Sequence, residues 1–273
     1  MNKNISILGL ILHIIIFFIL YLIPFNLLSE ANLTLGLILL LITYLTTFYL
    51  LYRFIFYRIS VYIFGIGVFV IGFLGNVIAI IFSPEYVMWE KSISILGHHP
   101  GGMFMRIGLI ISYNLAIPFF IKFGKALKNE TTNDNLIKLA VACGLFTSVT
   151  AMLTGTISGS FHDFISLLHG LFALMSWLGG VAVTFLFGFL MLKNSKFTKK
   201  IKNLSFIITG VLVIYLIPFF IVNFCNLYPE TSPVYAFGRS IFLIMATFEW
   251  VVIFSILLWF LINSIYLLRK NIG

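Results

Sequence analysis

The sequence predicts an all-α fold: a polytopic membrane helical bundle of about eight transmembrane helices, with the N- and C-termini cytoplasmic. Three observations carry this expectation. Of 273 residues, 61% are hydrophobic and only 9% charged, where soluble domains run nearer half apolar and a quarter charged. The apolar residues fall into runs of about 20, the length that crosses roughly 30 Å of hydrocarbon at 1.5 Å per residue. The basic residues fall almost entirely on one side of those runs.

Taken in order, the runs cover approximately residues 5–28, 33–52, 60–82, 104–123, 137–159, 164–192, 204–227 and 240–267. Each is bounded by turn or charge chemistry. The breaks are Ser29 to Asn32, Arg53 to Arg58, Ser83-Pro84-Glu85, Lys128 to Asn135, Ser158-Gly159-Ser160, Lys193 to Asn203, and Tyr228 to Pro233. The first run has a single lysine ahead of it, is too long for a signal peptide and lacks a small-x-small cleavage site, so it reads as a permanent span. The run at 164–192 is long enough to tilt. Residues 1–59 are expected to form two N-terminal helices and residues 60–273 a six-helix unit.

With eight spans, fourteen lysines and arginines share one side with both termini: Lys3, Arg53, Arg58, Lys122, Lys125, Lys128, Lys138, Lys193, Lys196, Lys199, Lys200, Lys202, Arg269 and Lys270. Only Lys91, Arg106 and Arg239 fall on the other. Cationic loops stay cytoplasmic, so this asymmetry sets the orientation. The net charge of +9 is therefore a topology signal, and nucleic acid is not an expected partner. Cys143 and Cys225 both lie inside apolar runs, and no disulfide framework is expected.

Polar side chains at membrane depth are costly and are functional candidates by default. Five stand out: His13, Asn76, Asn114, His169 and Glu249. Counting rise from the outer end of each span puts Asn76 about 9 Å deep, Asn114 about 15 Å, His169 about 8 Å and Glu249 about 13 Å. His13 falls nearer the middle or inner half. If their spans are neighbours, Asn76, Asn114, His169 and Glu249 line one polar cavity in the outer half, in which His169 and Glu249 can pair. The plainer reading makes each a hydrogen bond joining two helices. A lone carboxyl in hydrocarbon must be paired, hydrated or protonated, which makes Glu249 the hardest of the four to dismiss.

The outer loops add His98, His99, His162 and Asp163. Histidine and carboxylate are zinc ligands, but adjacent His98 and His99 cannot readily aim at one ion. His162 and His169, the weak metal candidates, are about 10 Å apart along a helix. Ser158 and His162 echo the Ser-x-x-x-His element of zinc-dependent membrane hydrolases, without the His-x-x-x-His those enzymes need. No lysine sits mid-span to form a retinal Schiff base. There is no Walker loop, no Cys-x-x-Cys, no Gly-x-Ser-x-Gly and no arginine-rich voltage sensor. No cofactor is expected.

From about residue 60 to 273 the chain resembles the six-span superfamily that includes the DRAM-like, FRAG-like and SFK-like membrane proteins and a prokaryotic branch of unknown function. An outer loop reads Ser83-Pro84-Glu85-Tyr86, followed by Ser92-Ile93-Ser94-Ile95-Leu96-Gly97, similar to the family's Ser-x-x-Leu-Gly stretch. His169-Gly170-Leu171-Phe172-Ala173 with Trp177-Leu178-Gly179-Gly180 is similar to its His-bearing span ending in glycines. Phe248-Glu249-Trp250 with Leu258-Trp259 resembles the acid-then-tryptophan pattern of its last span. The two N-terminal spans are an addition to that pattern, and His98-His99 stands where an acid is sometimes found. The resemblance implies a compact bundle with a short outer cap between its first two helices, and it implies no catalytic reaction.

Together these features imply a non-enzymatic protein of the plasma membrane that binds or moves a small molecule, lipid or ion through an outer-facing cavity, with membrane lipids as partners. Two alternatives stand beside it. One is a membrane-embedded, lipid-acting hydrolase using His162, His169 and Glu249; the other is a non-catalytic scaffold contacting partners through its helices.

Overall fold

A computed structural model describes residues 56–130, 132–157 and 163–271, with residues 42 and 49. The expected spans at 5–28 and, but for residues 42 and 49, at 33–52 therefore lie outside the described residues, as does His13. After a single 3-10 turn at Phe56–Arg58 come seven helices: α1 (Val61–Ile81), α2 (Ile93–Leu96), α3 (Gly102–Leu127), α4 (Asp134–Ile157), α5 (Asp163–Leu192), α6 (Lys199–Cys225) and α7 (Pro233–Arg269). Among the described residues there is no strand. All but α2 are long and apolar enough to cross a membrane, and the protein is a multi-pass membrane protein.

The helices begin and end where local chemistry dictates. Ser232 accepts the Val234 N–H and Pro233 takes the first helical position, so α7 starts seven residues ahead of the apolar run at 240. Likewise α6 begins at Lys199, with basic residues in its first turn. Apolar runs mark where hydrocarbon begins, whereas caps mark where the helix begins, and the two differ wherever a helix projects beyond the bilayer.

The six long helices form a closed ring. Each packs on its sequence neighbour, and α1 closes the circle by packing on both α3 and α7. Every contact is antiparallel. Gly75 meets Gly108 across α1 and α3, His169 meets Thr154 across α5 and α4, and Trp259 meets Ser205 across α7 and α6. The α1–α3 crossing is backbone on backbone: a methyl added at Gly75 would lie 2.8 Å from the Gly108 Cα. Absence of side chains there lets the two helices touch. The outward faces carry Leu74, Phe146, Leu171, Ile217, Phe220 and Leu258, all exposed, which is the surface lipid takes.

One end of the ring is packed solid. Phe123 stacks on Phe187 at 5.0 Å, and Phe119 and Phe120 contact Trp259 and Phe260 with centroids 5.0–6.3 Å apart. The Trp259 indole N–H donates to Ser205 Oγ at 2.8 Å, so the one polar atom of this aromatic plug is satisfied. This end also carries the turns at 128–133 and 193–198 and the basic residues around them. The opposite end carries the connection 82–101, which folds over the ring as a lid.

The lid is tied to α7. Tyr86 Oη donates to the carbonyls of Lys91 and Ser92 at 2.9 and 3.0 Å, and accepts the Trp250 indole N–H at 2.9 Å. Tyr86, Ile93, Leu96, Met105 and Trp250 form a small core of their own beneath it. Burial raises the Tyr86 phenol well above its ordinary range, with the nearby Glu249 carboxyl acting in the same direction, so the phenol stays a neutral donor.

Candidate functional site

Between the plug and the lid lies a partly enclosed cavity of about 90 Å3 open to the centres of water-sized molecules, enough for several waters. Its walls come from a recurring helical stripe. Met105, Leu109, Ser112 and Tyr113 from α3 repeat at i, i+4, i+7 and i+8. So do His169, Ala173, Ser176 and Trp177 from α5, and Glu249, Ile253, Ile256 and Leu257 from α7. That spacing keeps one face of each helix turned inward. Gly72 and Asn76 from α1, Ala151, Thr154 and Gly155 from α4, and Ile93 and Ser94 from the lid complete the lining.

Asn76, His169 and Glu249 therefore face one space, each from a different helix. Asn114 does not. It is buried on α3, but Ser112 and Tyr113 present that helix to the cavity, and each residue along a helix turns the side chain by about 100°. Counting rise fixed its height and left its direction open. The Asn76 amide donates back to Gly72 O at 2.9 Å, which holds it against its own helix.

The expected His169–Glu249 pair is replaced by a bridge through Ser94. Glu249 is buried, and its carboxyl accepts the Ile93 N–H at 3.0 Å and shares a hydrogen bond with the Ser94 hydroxyl. His169 Nε2 lies 3.5 Å from the same Ser94 Oγ, and its Nδ1 lies 3.1 Å from Thr154 O. Helix ends explain both anchors. Ile93 opens α2, where first-turn N–H groups lack intrahelical partners, and Thr154 sits in the last turn of α4, where carbonyls lack them. A buried acid satisfies the one and an imidazole the other. A carbonyl can only accept, so Nδ1 carries a hydrogen.

The surrounding polar groups are satisfied within their own helices. On α4, Thr147, Ser148, Thr150, Thr154 and Thr156 each donate to the carbonyl four residues earlier, at 2.8–2.9 Å. Such back-bonding lets hydroxyls sit in an apolar setting without seeking a partner. Among the described residues no lysine or arginine lines the cavity. Behind His169, at the lid, stands His98. Desolvation lowers its affinity for a proton below the ordinary imidazole value, and Arg106 and His99 add like-charge repulsion.

Among the described residues no three of His, Cys, Asp or Glu converge to hold a metal ion. His162 and Ser158, two members of the zinc-hydrolase pattern, lie outside the described residues. Cys143 and Cys225 are both free thiols.

Ser94 and Thr154 are the site residues that depth counting missed. Ser94 lies in the lid, outside any apolar run, and Thr154 contributes through its main chain. The signal available for Ser94 was its place within the Ser-Ile-Ser-Ile-Leu-Gly stretch, which holds α2. No family model, no curated protein and no solved structure matches the chain.

Proposed function

We propose that this multi-pass membrane protein binds a small molecule in the cavity between lid and plug. The carrying observation is the cavity itself: a space walled mostly by apolar side chains from five of the six long helices, with a single polar cluster at one end. Binding sites for small molecules have this composition, an apolar wall with a few converging polar groups that fix orientation. A scaffold that touches partners only through its outer faces has no use for such a space.

The same proposal includes the wider setting. The charge asymmetry favours the plug end in the cytoplasm and the lid outside, with the protein in the plasma membrane and two further spans preceding the ring. The similarity to the DRAM-like, FRAG-like and SFK-like superfamily supports a six-helix ring with an outer cap as the common unit. Asn76, His169 and Glu249 are the residues assigned to the ligand, joined by Ser94.

The test is chemical access. In a Cys143→Ser, Cys225→Ser background, Ala173→Cys should react with iodoacetamide added to the protein in detergent. The rate should exceed that of Phe187→Cys, in the plug, by at least tenfold. Equal, slow labelling at both positions would mean that water does not reach the cavity.

A further inference from the structure

Resting on the reading of this cavity as a binding site, we propose that its ligand is an organic ammonium ion with an apolar body, taken up in exchange for a proton carried by Glu249, Ser94 and His169.

Charge sets the ligand class. Among the described residues the cavity lining contains a carboxyl and no lysine or arginine. An anion would find no cation to meet it. A cation finds Glu249, and two aromatic walls, Tyr113 and Trp177, face the same space. A carboxylate with aromatic faces is the chemistry that recognises ammonium groups. The remaining walls, among them Leu109, Ile253 and Leu257, suit an apolar body.

Hydrogen counting sets the exchange. Ser94 has one hydroxyl hydrogen and stands between two groups that can each accept it, the Glu249 carboxylate and His169 Nε2. His169 Nδ1–H is committed to Thr154 O. Two arrangements satisfy every atom. In one, Glu249 is protonated and donates to Ser94 Oγ, and Ser94 donates to bare Nε2. In the other, Ser94 donates to the carboxylate and protonated Nε2 donates to Ser94. They differ by the shift of one hydrogen along each of two bonds, and both leave the cluster with no net charge. An arriving ammonium ion favours the second, because it needs the carboxylate ionised. The imidazolium formed then repels that cation, and its Nε2 hydrogen is lost to bulk water at the lid. Net charge is conserved: one cation enters and one proton leaves.

Among the described residues the titratable groups facing this cluster are few. They are Tyr86 from the lid, Tyr113 from α3 and Tyr215 from α6, with His98 and Arg106 behind His169. Among the described residues of α1 and α4 the cavity meets Asn76, Thr154 and small or apolar groups. The capping roles of His169 and Glu249 account for the Ile93 and Thr154 contacts, and leave the shared Ser94 hydroxyl unexplained.

The experiment uses the full chain in a maltoside detergent, benzyltrimethylammonium as probe and neopentylbenzene as its neutral isostere. Calorimetry in two buffers of different ionisation enthalpy should show the cation binding at least tenfold tighter than the isostere, with about one proton released. Its affinity should rise with pH, because the proton competes for the carboxylate. Glu249→Gln should remove the preference for the cation and the proton release while keeping the isostere bound. Ser94→Ala should leave the amount of proton released unchanged and slow its appearance at least tenfold in a stopped-flow dye assay. Equal affinity for both probes, or cation binding without proton release, would overturn the exchange while leaving the cavity a binding site. An unaltered release rate in Ser94→Ala would overturn the relay. Binding of neither probe would overturn the cavity reading and this inference with it.

Discussion

At single residues, the tightest constraint is steric. Gly108 on α3 lies against α1, where an added methyl would sit 2.9 Å from the Gly75 Cα. Backbone cannot move aside as a side chain can, so Gly108→Val should destabilise the folded protein by about 1–3 kcal/mol through overpacking. Gly210 on α6 has nothing within 4 Å of its added methyl, and Gly210→Ala should be neutral or stabilising by up to about 1 kcal/mol. Thermal unfolding in detergent separates them: similar melting temperatures for the two variants would refute the close-approach argument. Sequence exposed the residue scale unevenly. Glu249 and His169 were legible because ionisable groups inside apolar runs announce themselves. Ser94 was not, because a serine in a loop carries no such contrast. Asn114 was legible in height only, since its direction depends on how α3 is rotated against its neighbours.

At the level of elements, α7 holds the lid through Glu249, Thr247 and Trp250, and three hydrogen bonds meet at the Tyr86 oxygen. Tyr86 Oη accepts the buried Trp250 N–H while donating to the lid's own carbonyls. Tyr86→Phe keeps the ring contacts with Trp250 and His99 and strands the indole N–H, at about 1–3 kcal/mol. Hydrogen exchange of residues 84–101 should rise several-fold in this variant, with the plug helices unchanged; an unaltered lid would show that its packing, not the phenol, holds it. The six long helices were readable from apolar runs, to within a few residues for α1 and α5. The starts of α6 and α7 were not, because polar and capping residues carry those helices past the apolar stretch. The lid's helix was not readable from the residues, since no periodicity reaches a helix of four residues.

On the scale of the whole molecule, basic residues gather at the plug end, where Lys128, Lys193, Lys196, Lys199, Lys200, Lys202 and Arg269 surround the turns and the last helix end. If that end faces the cytoplasm, Lys200→Cys in the cysteine-free background should react with a membrane-impermeant maleimide only after the cells are opened. Lys91→Cys, in the lid, should react in intact cells. The reverse pattern would invert the topology. The closed ring itself could not be read from sequence: it depends on α1 packing against α7, a contact between segments some 200 residues apart, for which apolar runs provide no pairing rule.

The aromatic plug has a kinetic consequence. While Phe119, Phe120, Phe123, Phe187, Trp259 and Phe260 stay stacked, the vestibule above them is blind. Whatever reaches it arrives and departs through the same mouth, over the same barrier, and equilibrates with a single compartment. Its occupancy then measures a concentration on that side and produces no flux across the bilayer. Exchange with the opposite side requires a state in which those six rings come apart.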